Sequence, residues 1–594
     1  MNRASTRFQG ASSAVLLALL FLAGATPLAS QMLAVPGAAN PDSNSTACAS
    51  SESGSPYIPV DRWIYPAVLR LYSLGFVDDV FIGMRPWTRS TLSHLIEEAG
   101  DAIQNADPGP ATDEAQEIYE SLIHAVREET QGPCPVRNGE SRLESTYSIV
   151  RAMSGTPLRD SFHLGSTVVN DFGRPYANGF NNYSGASGYI AANRFVLYVR
   201  SEFHGTPSAT GYPQALSAEL ASIDGTTDFL NSTTPIPYNQ QATIPAGPIA
   251  ALADGRVIEV YLSAHVLNHE VSFGKQDDWL GPGLGGGMAY SNNAENIYSF
   301  RINRVQPLQI PLLSRLTGPF RYEFLVGPLK GHVYPNAPWV HLEQISFKPS
   351  ENLEFGFERT VIWGGKGHEP ITLHTFLKSF FSTANVTYAI KNGPQDPGAR
   401  FGAFYFAYRL PLLRKWFTLY SDSEAHDDVS PISGLRRASF RPGIYLSHVP
   451  GIARLDVRAE AVSTDPPTSR SNGGQFNYYE GIQRQGYTNN GQIFGDWIGR
   501  EAKGGQAWIT YHLSGNEWIQ VGVRNQKTPK DFIPDGTTLN DLSLQMLKRI
   551  GKDFEINGNF TYERWKAPIY VPGQQIVTNT TIQLTWFPER NVRF

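Results

Sequence analysis

The amino-acid sequence predicts an all-β transmembrane antiparallel β-barrel of about 18 strands, preceded by a small N-terminal α-helical bundle. Three observations lead to this fold class. The N-terminal residues have the pattern of an export signal, apolar and polar residues alternate with period two from about residue 140 onward, and aromatic pairs such as Trp416 and Phe417 are expected at strand ends. With 55 glycines, 41 prolines and 17% charged residues, the composition also favours many strands joined by turns over a mostly helical protein.

Residues 1–30 are predicted to be a signal peptide. Arg3 and Arg7 precede the apolar run AVLLALLFLAGA at residues 14–25, and small residues follow it. The alternative is a membrane-anchor helix, which needs about 20 apolar residues, whereas this run has about 12. Residues 31–56 are rich in Ala, Pro, Ser and Asn, and they are predicted to be a flexible linker.

Residues 57–135 are predicted to form a periplasmic module of three short helices. Two of them show apolar residues spaced three and four apart, followed by a glycine that ends the helix. The third, at about 112–128, carries acidic residues in its first turn, where they complement the helix dipole. The apolar faces comprise Trp63, Ala67, Leu71 and Leu74, then Leu92, Leu95, Ile96 and Ala99, then Ile118, Leu122 and Val126.

Residues 140–594 are predicted to form the barrel, and RLDVRAEA at 454–461 shows its pattern most clearly. Leu455 and Val457 share one face, which we expect to meet lipid. An antiparallel sheet over a soluble core gives the same alternation, so export and the strand-end aromatics favour the membrane barrel. At roughly 25 residues per strand and connection, this part accommodates about 18 strands. The side chains expected to line the lumen are Arg454, Asp456, Arg458 and Glu460, together with Glu354 and Glu358.

The last predicted strand, IVTNTTIQLTWF at 576–587, is followed by Pro588, which interrupts the alternation before the final residue, Phe594. Outer-membrane barrels commonly end on an aromatic residue that closes the last strand. Because the alternation is interrupted before Phe594, the match to that pattern is partial.

Cys48 and Cys134 are the only cysteines, which excludes a disulfide framework and a multi-cysteine zinc site. In an exported chain we expect the two to form a disulfide. By restricting the unfolded chain, the bond would raise the free energy of unfolding by on the order of 4 kcal/mol. Two free thiols are the alternative.

Eight distinctive motifs lie between about residue 57 and the C-terminus. They are YPAVLRLYSLGFVD (65–78), RPWTR (85–89), VSFGKQDDWLGPG (271–283), SNNAE (291–295), FERTVIWGG (357–365), LYSD (419–422), HDD (426–428) and GYTNNGQIFGDWIGREAKG (486–504). Together they resemble the motifs of the capsule assembly Wzi family. The resemblance implies an outer-membrane β-barrel with a helical bundle on its periplasmic side, acting as a lectin that holds capsular polysaccharide at the cell surface. It implies no enzymatic activity.

The best candidate for polysaccharide binding is the block that begins at Lys275. Its indole suits the apolar face of a sugar ring, and its carboxylates and amide suit sugar hydroxyls. We expect these groups on an extracellular loop; the alternative is a structural corner between a strand and a loop inside the barrel. The predicted polysaccharide-binding residues are Lys275, Gln276, Asp277, Asp278 and Trp279, with Asp496 and Trp497 as a second pair.

The densest acidic cluster is expected in a loop after the strand FTLYSD. It lacks the spacing of a calcium loop, and one histidine with carboxylates is a poor zinc site, so we interpret it as a solvated or lumen-facing acidic patch. No GxSxG, HExxH or phosphate-binding glycine loop occurs, so we predict no catalytic residues, metal or cofactor. The cluster comprises Asp422, Glu424, His426, Asp427 and Asp428.

The expected partners are capsular or extracellular polysaccharide, outer-membrane lipid and, during biogenesis, the barrel-assembly machinery. The net charge of −5 gives no basic surface for nucleic acid. A porin-like channel for small solutes is the competing function. The position of residues 57–130 decides between the two: if they plug the periplasmic mouth of the barrel, polysaccharide binding is favoured, and if they swing aside, a channel is possible.

Overall fold

The computed structural model describes residues 53–126, 139–225, 246–333, 335–382, 386–426, 437–466, 473–588 and 591–593. The signal peptide, most of the linker, both cysteines, Asp427, Asp428 and Phe594 lie outside the described residues, so what the sequence predicts for them stays a prediction.

Eighteen antiparallel strands close into one barrel, as the sequence predicts. The strands are β1 (Gly139–Ser154), β2 (Gly179–Ala192), β3 (Phe195–Thr206), β4 (Leu252–Val266), β5 (His269–Lys275), β6 (Tyr298–Arg304), β7 (Phe320–Pro328), β8 (Trp339–Ser350), β9 (Leu353–Trp363), β10 (Ala399–Arg409), β11 (Phe417–His426), β12 (Ser439–Leu446), β13 (Leu455–Ser463), β14 (Lys503–Ser514), β15 (Glu517–Thr528), β16 (Thr537–Ile550), β17 (Phe554–Ala567) and β18 (Val571–Trp586).

The ring closes between β1 and β18, where Thr146 lies opposite Trp586. Beyond the interruption at Pro588 the chain returns to the sheet, because Asn591–Arg593 also pairs with β1. The sheet therefore continues past the predicted last strand.

The two faces of the wall have the predicted polarity. Asp456, Arg458 and Glu460 on β13 are buried in the lumen, whereas Leu455 and Val457 point outward and are partly exposed. The lumenal prediction is also confirmed for Glu354 and Glu358, both of which are buried on the inner face of β9. Arg454 precedes β13 and contacts a helix instead, its guanidinium lying 2.5 Å from Glu117.

The acidic cluster lies in a strand, which corrects the prediction of a loop. Asp422, Glu424 and His426 belong to β11 and point into the lumen. The strand continues past Asp422 because its residues still pair on both sides, with Ala403 of β10 and Ser439 of β12 opposite Glu424.

The two ends of the barrel differ in the length of their connections. At one end, which we call the helix end, most connections are tight turns such as 193–194, 351–352 and 515–516. At the other, the loop end, the connections include long segments such as 207–251 and 464–502.

Three helices occupy the helix end, close to their predicted positions: α1 (Ile64–Leu74), α2 (Arg89–Gln104) and α3 (Pro110–Ala125). Gly75 ends α1 with φ of 82°, a conformation that glycine adopts without strain. The helices share one apolar core, which extends into the barrel as far as Tyr420 and Tyr445.

Within the described parts of the connections lie four further α-helices: α4 (Gln214–Ile223), α5 (Leu313–Thr317), α6 (Leu373–Phe381) and α7 (Tyr388–Lys391). In the part of the chain that the structure describes, no helix has both the length and the apolar character needed to cross a bilayer.

Candidate functional site

The lumen is filled from the helix end by an extended segment, residues 80–87, which joins α1 to α2. The carboxylate of Glu354 on β9 accepts the backbone N–H groups of Ile82 (2.8 Å) and Gly83 (3.0 Å). Lys348 on β8 donates to the carbonyl of Val80 at 2.7 Å. Charged side chains of the wall therefore hold the backbone of this segment, which we call the helix-end plug.

From the loop end, the connection 276–297 folds back into the lumen, and we call it the loop-end plug. The two plugs meet in a short antiparallel pairing, Met84 opposite Leu280 and Arg85 opposite Trp279. Gly281 makes the approach to the wall feasible: its φ is 108°, and a Cβ there would lie 2.5 Å from the carboxylate of Asp422. We call this pairing the inner junction.

Trp279 lies at the inner junction, which corrects the prediction of an extracellular loop. Its side chain is only 6% exposed, and its Nε1 donates to the carbonyl of Gly283 at 3.2 Å. The guanidinium of Arg85 lies over the ring, 5.1 Å from its centroid. The glycine-rich sequence after Trp279 turns the chain inward, so in this structure neither face of the indole is free for a sugar.

The two aspartates beside Trp279 are also buried. Asp277 accepts the N–H of Val60 at 3.0 Å and the amide of Asn296 at 2.6 Å. Asp278 forms an ion pair with Arg301 at 2.9 Å. Gln276 is buried beside them and accepts from the hydroxyl of Ser272 at 2.7 Å. Asp278 and Gln276 therefore hold the loop-end plug against the wall, and Asp277 ties it to the segment that precedes α1.

The second predicted pair lies in the same lumen. Asp496 binds Arg441 on β12 at 2.5 Å, and Arg441 also binds Glu460 on β13 at 2.6 Å. Trp497 is fully buried and donates from Nε1 to Gln506 at 3.2 Å. Glu460 also accepts two backbone N–H groups of the loop-end plug. The same charged network therefore holds both Asp496 and the plug that contains Trp279.

Lys275, the first of the predicted residues, ends β5 at the loop end of the barrel, where its side chain is buried. Its Nζ lies 2.5 Å from the carboxylate of Glu295 and 5.8 Å from the ring centroid of Tyr298. Lys330, which is exposed, places its Nζ 4.9 Å from the same ring. Arg256 lies 3.4 Å from Glu295, so three cations surround one carboxylate and one half-buried aromatic ring. We call Arg256, Lys275, Glu295, Tyr298 and Lys330 the Tyr298 patch.

Two motifs that are far apart in the sequence build this patch. Asn489 accepts the N–H of Lys330 at 2.9 Å and donates to the carbonyl of Glu295 at 2.8 Å. Asn490 donates its N–H to the carbonyl of Lys330 at 2.8 Å. The motifs SNNAE and GYTNNG therefore meet at Glu295, and their hydrogen bonds hold the backbone of Lys330 at a position from which its side chain reaches Tyr298.

The charge of the patch follows from its composition. Burial raises the pKa of Glu295, but the charges of Arg256 and Lys275 outweigh burial and lower the pKa overall. One ionised carboxylate thus faces three cations, leaving net positive charge beside an aromatic ring. Acidic sugars offer the matching chemistry, since a carboxylate pairs with the cations and a pyranose C–H face covers the ring.

Sequence reasoning did not identify Arg256, Tyr298 or Lys330. Tyr298 begins β6 and Lys330 follows β7, and the meeting of the two asparagine-containing motifs brings them together. Among the residues that the structure describes, no group of three or more His, Cys, Asp or Glu side chains is arranged to hold a metal ion.

Relatives of the chain are known. A family model described as capsule assembly protein Wzi matches residues 149–580. A Klebsiella pneumoniae protein, described as an uncharacterized 55.8 kDa protein in the cps region, is 24% identical over 228 residues, which are 38% of this chain and 42% of that protein. The matched region therefore spans less than half of that relative's length.

Two solved structures resemble the fold. Wzi of Escherichia coli, described as a carbohydrate-binding β-barrel and an outer membrane protein involved in group 1 capsule assembly, has a TM-score of 0.60 at 15% identity, covering 89% of this chain and 98% of that one. OccK7 of Pseudomonas aeruginosa has a TM-score of only 0.38 at 8% identity, covering 76% of this chain and 98% of its own. Because the family model covers most of the barrel, the chain belongs to the capsule assembly protein Wzi family.

Proposed function

We propose that this chain is an outer-membrane protein of capsule or exopolysaccharide assembly, which binds the surface polysaccharide non-covalently, with no catalytic step, and attaches it to the cell surface. Family membership supports the biological role, and the fold shared with the carbohydrate-binding barrel of E. coli is consistent with it. The observation that carries the proposal is the inner junction. Two plugs that hydrogen-bond to the wall and to each other suit a barrel that holds a polymer outside, rather than a porin that passes small solutes.

The orientation follows from the connections. Bacterial outer-membrane barrels have short periplasmic turns and longer extracellular loops. We therefore assign the helix end, with α1–α3, to the periplasm and the loop end to the cell exterior. The Tyr298 patch then faces the medium, where an exported polysaccharide arrives.

We propose the Tyr298 patch as a direct contact for an acidic polysaccharide. Lys330 is exposed beside the aromatic ring, and each stacking contact of a sugar with an aromatic is worth about 0.5 to 1.5 kcal/mol beyond buried area. A single contact of this size is weak, but a polymer presents the same unit many times, so retention grows by multivalency.

The seven residues predicted from sequence keep a place in this proposal. Lys275 belongs to the patch itself. The other six act by fixing the plugs, because the loop-end plug contains Glu295 and leads directly into Tyr298. They are Gln276, Asp277, Asp278, Trp279, Asp496 and Trp497.

The test uses Lys330→Glu and Tyr298→Ala in a strain that lacks the chromosomal copy, with Lys552→Glu as a control that reverses an exposed charge at the helix end. We expect both patch variants to assemble normally, to shift polysaccharide from the cells to the medium with the total unchanged, and to weaken binding of purified polysaccharide about tenfold or less per site. The control keeps wild-type retention.

Normal retention and binding in both assembled patch variants would contradict the proposed contact. Normal retention in the strain lacking the protein altogether would contradict the proposed function itself.

A further inference from the structure

Helix α6 lies against the outer wall of the barrel rather than over one of its ends. The ring of Phe376 is 5.9 Å from Phe324 on β7 and 5.8 Å from Trp363 on β9. Phe380, one turn further along, lies 6.2 Å from Phe324. The connection between β9 and β10 thus leaves the loop-end rim and packs on the surface that faces the membrane.

The wall beneath α6 carries polar groups where a membrane barrel ordinarily has apolar ones. His341 contacts Glu343 at 2.6 Å, and its other ring nitrogen lies 2.8 Å from the hydroxyl of Ser379 on α6. Arg359 donates to the carbonyls of Ser379 at 3.0 Å and Ser382 at 2.7 Å, at the helix C-terminus, where carbonyl groups lack a partner within the helix. An arginine that faces lipid at bilayer depth is energetically costly. The carbonyl groups at the end of α6 give Arg359 hydrogen-bond acceptors, and Arg359 gives those carbonyls a donor.

The face of α6 beside Phe376 and Phe380 is also apolar, and it is exposed. Leu373, Leu377 and Phe381 are spaced four residues apart and are 73%, 43% and 70% exposed. Between this helix and the wall runs a groove of about 610 Å³. Its apolar lining is Phe324, Ile345, Phe357, Phe376, Leu377, Phe380 and Phe381.

We propose that this groove holds an acyl chain of lipopolysaccharide, with α6 as a clamp over the chain. The groove opens onto the apolar belt of the barrel, where Phe273 and Phe300 of the neighbouring strands are also exposed, so the surface that continues it is the one covered by the bilayer. The exposed Lys366 lies near the loop-end rim where this connection begins, and it suits an anionic headgroup. The choice of the outer-leaflet lipid rests on the proposed orientation.

The test places the purified barrel in phospholipid nanodiscs containing lipid A with a photoreactive diazirine on one acyl chain. We expect labelling of residues 343–359 and 373–381 several-fold above labelling of the outer face of β16. Ile345→Trp fills the groove and reduces that excess. Leu544→Trp, an equally large change at an exposed position on β16, leaves the excess intact.

Labelling of α6 no stronger than that of β16, or unchanged by Ile345→Trp, overturns the proposal. Leu377→Asn, which changes only the exposed rim of the groove, repeats the test if Ile345→Trp does not assemble. Equal labelling from a diazirine phosphatidylethanolamine overturns the choice of lipopolysaccharide. Polysaccharide binding by Ile345→Trp separates this proposal from the preceding one, because we expect it to equal that of wild type.

Discussion

The helix end and the loop end close the same lumen with two kinds of structure. The helix end is closed by a module with its own apolar core, in which regular helices pack through residues such as Leu71, Leu92 and Ile118. The loop end is closed by irregular connections whose backbone is held by wall carboxylates such as Glu460. The helical module is a separate body that docks into the barrel, whereas the loop-end plug is one of the connections between strands. We therefore expect the two closures to fail in different ways.

The largest effect is expected from Arg70→Ala, which attacks the docking of the helical module. Arg70 is buried, binds Glu114 of α3 at 2.6 Å and lies 3.3 Å from Asp456 of β13. Removing it leaves two buried carboxylates without this partner, a change that costs about 3 to 5 kcal/mol. Limited proteolysis of the assembled barrel should then cleave within residues 57–126 and spare the loop end.

The matched control is Arg454→Ala, which removes an exposed ion pair between the barrel and the same helix. We expect it to cost about 0 to 1 kcal/mol and to leave the helices protected. Equal protection in Arg70→Ala would show that the apolar core alone holds the module.

Trp279→Ala probes the point where the plugs meet. Truncating a buried tryptophan costs about 3 to 5 kcal/mol, so backbone hydrogen exchange should rise in both residues 80–87 and the loop-end plug. Trp279→Phe keeps a ring under Arg85 and loses only the hydrogen bond to Gly283, worth about 1 kcal/mol. Unchanged exchange in Trp279→Ala, together with weaker polysaccharide binding, would instead make this indole a direct glycan contact.

A pH effect of intermediate size is expected at the loop end. His163 lies between Asp160 (2.9 Å) and Asp224 (3.0 Å), and Arg500 also binds Asp224. Burial lowers the pKa of His163, but the two carboxylates outweigh burial and raise the pKa to about 9. Since the folded pKa exceeds the ordinary 6.5, roughly 3 kcal/mol of stability is fully present below about pH 6.5 and is lost as pH rises through about 9.

The temperature at which the barrel loses its heat-modifiable mobility should therefore fall between pH 7 and pH 10. His163→Gln should flatten that fall, whereas His94→Gln, an exposed histidine at the helix end, should leave it unchanged. An identical pH profile in wild type and His163→Gln would contradict the assignment.

The smallest structural scale is probed by single cysteines in β13, which report the facing of the wall. Asp456→Cys places a thiol in the lumen and Val457→Cys places one toward lipid. In the plugged barrel, neither thiol should react quickly with a bulky water-soluble reagent. When each cysteine is combined with Arg70→Ala, which opens the helix end, only the thiol of Asp456→Cys should become reactive. Reaction of Val457→Cys alone would mean that the register of β13 is shifted by one residue.

The regular elements could be predicted from sequence because their signals are local. The spacing of Leu92, Leu95 and Ile96 predicts α2 directly, and the alternation around Leu455 predicts β13 and its facing. The misplaced acidic cluster shows the limit: Asp422 and Glu424 follow the alternation, but their charge suggested a loop. In a filled lumen, charged strand residues are ordinary because plug backbones supply their partners, as Met288 does for Asp422 at 2.7 Å.

The plugs and the Tyr298 patch could not be predicted because their signals are not local. The sequence around Trp279 has the composition of a sugar site, and only the pairing with Arg85 shows that it is buried. Lys330 carries no motif of its own, and its position depends on Asn489, far along the chain. Irregular backbone held by distant side chains leaves no periodicity to detect.

The most direct test of the central claim is the conductance of the purified wild-type protein in a planar lipid bilayer. If the two plugs meet and stay in place, the inserted barrel shows no steady ion-conducting steps, and steps appear in Arg70→Ala. Stable, porin-sized steps from the wild-type protein, unaffected by added polysaccharide, would contradict a sealed lumen and would favour a channel for small solutes.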